Sequence, residues 1–152
     1  MLPRLLTLDA LSRFEDASLL ALRIGTGAFL IPGVWDNVTS AARMAEFAGF
    51  LRANGFAPAD FWAPFSVYTQ LIAGALLIAG LLTRWAGVIV AITFAVALWT
   101  VHWEQGFHEW WPALALMLIG LHIAARGGGR MSLDAVIAGG RRGSTGRGRA
   151  RL

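Results

Sequence analysis

Residues 65–102 read FSVYTQLIAGALLIAGLLTRWAGVIVAITFAVALWTVH, two apolar segments of 18 residues joined by the polar pair Thr83-Arg84. A helix of about 20 apolar residues crosses the hydrocarbon core of a bilayer. Because a two-residue connection leaves no room for a crossover, the two helices must run antiparallel. The stretch therefore predicts a transmembrane helical hairpin.

Two further apolar segments, at about 18–37 and 110–125, flank this hairpin. The predicted fold class is all-α, a four-transmembrane-helix bundle over residues 18–125. We expect residues 1–17 to form a cytoplasmic amphipathic segment, with a solvated, frayed terminus as the alternative. We expect residues 126–152 to form a cytoplasmic short helix and then a disordered, arginine-rich tail, because that tail is rich in glycine and lacks apolar periodicity.

The first outer loop has helical periodicity of its own. Ser40 can cap the start of this helix and Asn54-Gly55 its end. One side of the segment is apolar, with Met44, Phe47, Ala48 and Leu51. This pattern predicts a short amphipathic helix on the membrane surface, with an ordinary extramembrane helix as the alternative.

Composition supports an integral membrane protein and excludes several kinds of chemistry. Hydrophobic residues make up 57% of the chain and charged residues only 14%, against about 25% in soluble domains. The absence of cysteine excludes disulfide and thiol chemistry within the chain. The net charge of +4 is explained by orientation in a bilayer, so we expect no nucleic-acid partner.

The arginines predict the orientation. With both termini in the cytoplasm, eleven of the 13 basic residues lie inside and only Arg43 and Arg52 lie outside. The positive-inside rule selects this topology. We therefore expect a multi-pass protein of the bacterial cytoplasmic (inner) membrane.

Tryptophan is concentrated on the outer side of this topology. Six of the seven tryptophans belong there: Trp35, Trp62, Trp99, Trp103, Trp110 and Trp111. An aromatic girdle that sets helix depth explains most of them. The others can line a pocket for a flat, lipophilic molecule, and Trp35, Trp99, Trp103 and Trp110 are the candidates.

Four polar residues are predicted to meet near the outer ends of the four spans: Asp36, Gln70, His102 and Glu109. A histidine between two carboxylates can relay a proton, which makes His102, Glu109 and Asp36 candidate catalytic groups and Gln70 a candidate ligand contact. The alternative is a set of solvated residues that hold helix ends together. Metal-ligand spacing such as H-x-x-x-H is absent, so no metal site is predicted.

Arg23 is a further candidate ligand contact, in the inner half of the first span at the depth of His122. Its side chain can snorkel to the cytoplasmic surface. If it faces inward, it needs an acceptor such as Thr26, Gln70 or a backbone carbonyl.

Several motifs resemble the DoxX family of small four-helix membrane proteins. They are Leu22-Arg23-Ile24 with Gly27, Pro32-Gly33, the stretch 55–64, Gly80-Leu81-Leu82-Thr83-Arg84, His102, Gly106-Phe107, Glu109, and Gly129-Arg130-Met131-Ser132-Leu133-Asp134. The resemblance implies the four-helix fold and membrane location. It also implies an association with membrane redox chemistry, since the related DoxD group includes a subunit of a thiosulfate:quinone oxidoreductase.

Together these features predict a quinone-linked redox accessory or subunit that binds a lipophilic ligand near the outer face. No intrinsic cofactor is expected, and a quinone or quinol is the expected ligand. Membrane lipid, a redox partner subunit and a second copy of the chain are the expected partners. The alternative is a non-enzymatic scaffold, lipid-binding or transport-related protein.

Ser132 is predicted to cap the short helix that follows the fourth span, with Asp134 in the first turn of that helix.

Overall fold

A computed structural model describes residues 8–102 and 106–146 of the chain, without the side chains of Asp9, His102 and residues 140–146. The described part is all-α. A 3-10 segment, Asp9–Phe14, leads into the first helix, and a π-helical turn, Leu98–His102, continues the fourth. The helices are α1 (Glu15–Thr39), α2 (Ala41–Ala53), α3 (Ala59–Ala79), α4 (Thr83–Ala97), α5 (Phe107–Arg126) and α6 (Leu133–Gly146).

Three helical stretches are long and apolar enough to cross a membrane, judged by length and composition. They are Ala10–Thr39, Ala59–Ala79 and Thr83–Val101. The 20 residues of α5 also give the length of a span, about 30 Å at 1.5 Å per residue. Its polar side chains lower its hydropathy, because His108, Glu109, His122 and Arg126 all lie on this one helix.

The helices pack as two tight pairs. α1 packs on α3, α4 packs on α5, and α3 with α4 joins the pairs, while α1 and α5 touch little. The core where the pairs meet is small and apolar, formed by Leu19, Leu30, Ala73, Leu77, Ala86, Val90 and Ile123. Other apolar side chains on these helices, such as Ile72, Ile92 and Leu121, are exposed, as lipid-facing side chains are.

Glycines bring the paired helices into backbone contact. A Cβ on Gly120 of α5 would lie 2.7 Å from the Ala91 amide nitrogen and 2.8 Å from the Gly87 carbonyl oxygen of α4. A Cβ on Gly27 of α1 would lie 2.5 Å from the Gly74 carbonyl oxygen of α3. Such close contacts stabilise helix pairs in lipid through van der Waals packing, since hydrophobic burial there is weak.

The hairpin between α3 and α4 turns three residues earlier than predicted. The connection is Gly80–Leu82, and Thr83 already belongs to α4. Gly80 adopts a left-handed conformation with φ of 70°, and the amides of Gly80 and Leu81 both donate to the Leu76 carbonyl, at 2.9 and 3.0 Å. Glycine adopts this helix-ending conformation without steric cost, so the chain turns at Gly80 and not at Thr83-Arg84.

The helix predicted in the first outer loop is present as α2. Ser40 Oγ accepts a hydrogen bond from the Arg43 amide at 3.3 Å, and Gly55 follows the helix with φ of 84°. Ala48 and Leu51 are buried against Ala59 and Ala63 of α3. The cap, the stop signal and the apolar face therefore act as the sequence indicates.

The last helix is longer than predicted. Ser132 Oγ accepts from the Ala135 amide at 3.2 Å, as an N-cap does, and α6 begins at Leu133. Its backbone continues to Gly146. The helix therefore includes Arg141 and Arg142, which the sequence predicts to lie in the disordered tail. Residues 147–152 lie outside the described part.

We predict that Gly120→Ala lowers the unfolding temperature of the purified protein in detergent, whereas Gly25→Ala does not. The added methyl group at position 120 collides with the backbone of α4, and overpacking of this kind costs about 1–3 kcal/mol. Gly25 is also helical but has no atom within 4 Å of its Cβ position. Equal melting temperatures for the two variants would contradict backbone contact between α4 and α5.

Candidate functional site

A cavity of about 560 Å³ lies at the end of the protein where α2 packs on α3. It is bounded by α3 and α4, with α2 and residues 55–57 on one side. Its walls are mainly apolar, with aromatic rings from Phe47, Phe50, Phe56, Trp62 and Phe65. A concave, largely apolar site of this size suits a lipophilic molecule.

Side chains without formal charge provide the polarity of this cavity. Gln70 lines it, and its Nε2 donates to Ser66 Oγ at 3.2 Å and to the Ser66 carbonyl at 3.4 Å. The Gln70 carboxamide oxygen has no partner among the described residues. It can therefore accept a hydrogen bond from a hydroxyl group of a bound molecule. Thr69, Thr93 and Thr100 also line the cavity.

Packing of α2 on α3 positions the aromatic wall. Ala48 and Leu51 of α2 are buried against Ala59 and Ala63, which leaves Phe47 and Phe50 at the cavity. Small residues at this contact let the two helices approach closely. Arg52 also donates to both carboxylate oxygens of Asp60 at 3.1 Å, but this exposed pair contributes little stability. Apolar contact therefore holds the wall in place.

Some of the predicted ligand contacts line the cavity and others do not. Gln70 lines the cavity, but Trp35, Trp99 and Trp110 do not. Trp35 is 51% exposed and Trp99 is 71% exposed. Trp110 is half-buried and packs edge-on against Phe107, with ring centroids 4.9 Å apart. Trp103 lies outside the described residues.

Three of the four polar residues predicted to cluster, Asp36, Gln70 and Glu109, have described side chains, and each has different neighbours. Asp36 is exposed and lines a shallow groove with Asn37, Arg43 and Glu46. Glu109 is exposed in the first turn of α5, where a carboxylate interacts favourably with the helix dipole. No group of three or more His, Asp or Glu side chains that could hold a metal ion occurs among the described residues.

His102 belongs to the π-helical turn after α4, and its side chain is outside the described part. The outer proton-handling cluster therefore stays a prediction.

Arg23 is fully buried at 0% exposure, so the snorkelling interpretation is wrong. Its Nη2 donates to the Met131 carbonyl at 2.6 Å, which confirms the inward-facing alternative with a backbone acceptor. Nε and Nη1 have no partner among the described residues. The guanidinium faces inward because the segment after α5 folds back beneath the bundle and covers it.

Asp134 connects this segment to the inner hairpin. Its carboxylate accepts hydrogen bonds from the Leu82 amide at 2.8 Å, the Thr83 amide at 2.9 Å and the Thr83 hydroxyl at 2.6 Å. Asp134 thus caps the start of α4 in addition to its place in the first turn of α6. These bonds also satisfy the amide of Leu82, which has an unfavourable φ of 49°.

Comparison with protein families agrees with this architecture. The DoxX family model matches residues 18–103, more than half of the chain. The chain belongs to the DoxX family. It is a multi-pass membrane protein of this family by its apolar helices. Searches of curated proteins and of solved structures each gave no match.

The structure gives two motifs of this DoxX protein a structural role. Gly80 forms the hairpin turn, and a Cβ there would collide with Arg23 Nη1 and lie 2.9 Å from Ser132. The motif that ends in Asp134 supplies the partners of Arg23 and Thr83. The first motif lies within the matched residues and the second follows them. Glycine in the turn is needed because Arg23 passes beneath it.

Sequence reasoning missed the phenylalanine walls of the cavity and the capping role of Asp134. Phe47 was placed on the apolar face of α2, but the same face was interpreted as packing alone. The sequence did carry a signal for these walls. The apolar face of α2 includes Phe50 and is therefore wider than the contact with α3 alone requires. The capping role of Asp134 had one indication in the sequence, the polar residue Thr83 at the start of an apolar helix.

Hydrogen bonding lowers the pKa of Asp134. Desolvation by burial acts to raise this pKa, but hydrogen bonds from Thr83 and Leu82, with the charge of Arg23, outweigh it. An aspartate whose pKa is lower in the folded state stabilises the fold above its unfolded pKa of about 3.9. That stabilisation is lost as the pH falls through the lower, folded value.

We predict that Asp134→Asn destabilises the protein at neutral pH and weakens its sensitivity to acid. Unfolding in detergent, followed by circular dichroism between about pH 6 and about pH 2.5, measures both effects. Glu46→Gln is the matched control, because Glu46 pairs with Arg43 on the exposed side of α2. An Asp134→Asn profile parallel to that of the wild type would show that the Asp134 carboxylate does not contribute.

Proposed function

We propose that this DoxX protein binds a lipophilic ring compound of the quinone class in the cavity between α3 and α4. In this proposal it acts as an accessory or subunit of a membrane redox system. The observation that carries the proposal is the 560 Å³ cavity with aromatic walls and Gln70 as a hydrogen-bonding group. Its volume lies within the roughly 300–1,000 Å³ that ligand pockets occupy.

The proposed topology gives the cavity access to lipid. We place α5 as a fourth span and both termini in the cytoplasm, because this arrangement puts eleven arginines inside and two outside. The membrane is then the bacterial cytoplasmic membrane, with α2 on its outer surface. The cavity lies between two spanning helices, so a hydrophobic ligand reaches it from the outer leaflet.

The chemistry of the cavity matches a ring with oxygen substituents. The free oxygen of Gln70 accepts a hydrogen bond from a quinol hydroxyl, and aromatic side chains pack against the ring. Oxidation of a quinol releases protons as well as electrons. In the proposal His102 and Glu109, and Asp36 on α1, handle the protons near the outer face, and a partner subunit accepts the electrons.

Lipid binding without redox chemistry is the second candidate function. The observation that favours it is the nearly continuous apolar lining, which suits an acyl chain as well as a ring. In that case the protein acts as a scaffold or lipid-binding protein, and the outer polar residues only stabilise helix ends.

We predict that the protein purified in mild detergent retains a quinone and that Ala97→Phe reduces the retained amount about tenfold, since the added ring fills the cavity. Native mass spectrometry measures the adduct and the number of subunits, and chromatography of a solvent extract identifies the ligand. Ala75→Phe is the matched control, because Ala75 is an exposed alanine of α3 that does not line the cavity.

The same preparation, supplied with a soluble quinone-type electron acceptor in place of the partner subunit, tests the redox part of the proposal. His102→Ala with Glu109→Ala is expected to slow electron transfer from quinol to that acceptor while leaving quinone retention unchanged. A fatty acid or phospholipid adduct that Ala97→Phe removes would support the lipid-binding function instead. Quinone retention that is equal in Ala97→Phe and Ala75→Phe would contradict the cavity as the site.

A further inference from the structure

A second cavity, of about 450 Å³, lies at the opposite end of the protein. It is formed where α4 begins, where α5 ends and where the chain turns toward α6. Arg84, Trp85 and Arg126 line it together with Gly127, Gly128 and Gly129. Asp134 also lines it, so two arginines, one carboxylate and glycine backbone form its polar lining, unlike the uncharged lining of the outer cavity.

Arg84 carries a positive charge beside this cavity that no side chain neutralises. Its Nη1 donates to the carbonyls of Ala124 and Ala125, at 2.9 and 2.6 Å, which holds the guanidinium at the end of α5. Within residues 8–102 and 106–146, no carboxylate is within ion-pair distance of Arg84. Its Nε and Nη2 remain available for an anion. A guanidinium of this kind is the usual partner of a phosphate group.

Three glycines without side-chain bulk line the cavity next to Arg84, with Gly127 and Gly128 buried and Gly129 half-buried. Gly127 and Gly129 have φ of 81° and 70°, conformations that favour glycine. A Cβ on Gly127 would lie 3.3 Å from Arg84 Nε, so the guanidinium lies close to the bare backbone. The amides of Gly128 and Gly129 have no hydrogen-bond partner among the described residues. Successive free amides in such a loop are suited to anion binding.

The carboxylates near this cavity are already engaged. Asp134 accepts three hydrogen bonds from Leu82 and Thr83, and the buried Arg23 offsets its charge. Glu15 forms an ion pair with Arg126. Among the described residues that line this cavity, Arg84 is thus the arginine without an ion-pair partner.

The position of the cavity along the helices points to the membrane interface. Trp85 is 68% exposed and Leu82 is 52% exposed, next to Arg84. Tryptophan beside arginine at the end of a spanning helix is typical of the head-group region. Basic pockets between helices at the cytoplasmic surface bind the head groups of acidic lipids.

We propose that the inner cavity is a phosphate-binding site, in which Arg84 and the amides of Gly128 and Gly129 donate hydrogen bonds to the phosphate oxygens. The phosphodiester of an acidic phospholipid and free inorganic phosphate share this chemistry. The site is separate from the outer cavity, so it does not depend on the quinone proposal.

Native mass spectrometry of the full-length protein, released from nanodiscs with equal amounts of phosphatidylglycerol and phosphatidylcholine, tests the site. The wild type is expected to retain phosphatidylglycerol in preference. Arg84→Gln is expected to reduce that retention about tenfold, because one charge-assisted contact is lost. Arg52→Gln is the matched control, since Arg52 is an exposed arginine at the end of α2 on the opposite side.

Inorganic phosphate added at increasing concentration distinguishes the two sources. If added inorganic phosphate displaces phosphatidylglycerol, the site binds a phosphate group from either source. If phosphatidylglycerol stays bound, the site binds the phospholipid alone. Equal retention of the two lipids by the wild type, with no phosphate adduct, would overturn the proposal whatever the variants do. It would also be overturned if Arg52→Gln lost as much lipid as Arg84→Gln, because binding would then follow overall charge.

Discussion

A guanidinium group buried within a spanning helix constrains the end of this protein where α3 turns into α4. Arg23 has no exposed surface, so its charge cannot be solvated by water. The Met131 carbonyl accepts one hydrogen bond from it, and two of its nitrogens have no partner among the described residues. Each unpaired buried donor costs about 1–3 kcal/mol. The side chain can stay inside only because the segment after α5 returns to cover it.

That segment links α1 to α4. Met131 binds α1 through Arg23, and the Arg130 amide donates to Asp16 at the start of α1. Asp134 caps α4 through Thr83. The positive charge of Arg23 is near enough to help lower the pKa of the Asp134 carboxyl group. Polar contacts thus hold the end of the bundle where α3 turns into α4. Apolar contacts between α2 and α3 hold the opposite end, which contains the 560 Å³ cavity.

Much of the fold could be predicted from local sequence. Apolar length predicted spans that the structure shows as three long apolar helices, and Ser40 and Ser132 predicted two helix starts. These features depend on neighbouring residues only. The position of the hairpin turn was missed because Gly80 ends α3 before the polar pair, and the polar pair was the more conspicuous signal.

The sites were harder to predict, because they depend on contacts between residues far apart in the chain. Arg23 and Met131 are 108 positions apart, and no local pattern shows whether an arginine faces lipid, water or a carbonyl. Gln70 was identified from its polarity within an apolar span, but the walls around it were expected to be tryptophan. Phenylalanines of α2 and α3 form most of the aromatic wall, because the packing of α2 decides which rings face the cavity. Side-chain direction in that helix follows from tertiary contact and not from composition.

A double-mutant cycle between Arg23 and Asp134 tests the central claim most directly. The free energy of unfolding is measured in mixed micelles for the wild type, Arg23→Met, Asp134→Asn and the double variant. If the returning segment compensates the buried charge, Arg23→Met costs less when Asp134 is already replaced, with a coupling of about 1 kcal/mol or more. Effects that add within about 0.5 kcal/mol would show that the two residues act independently, and would contradict the account.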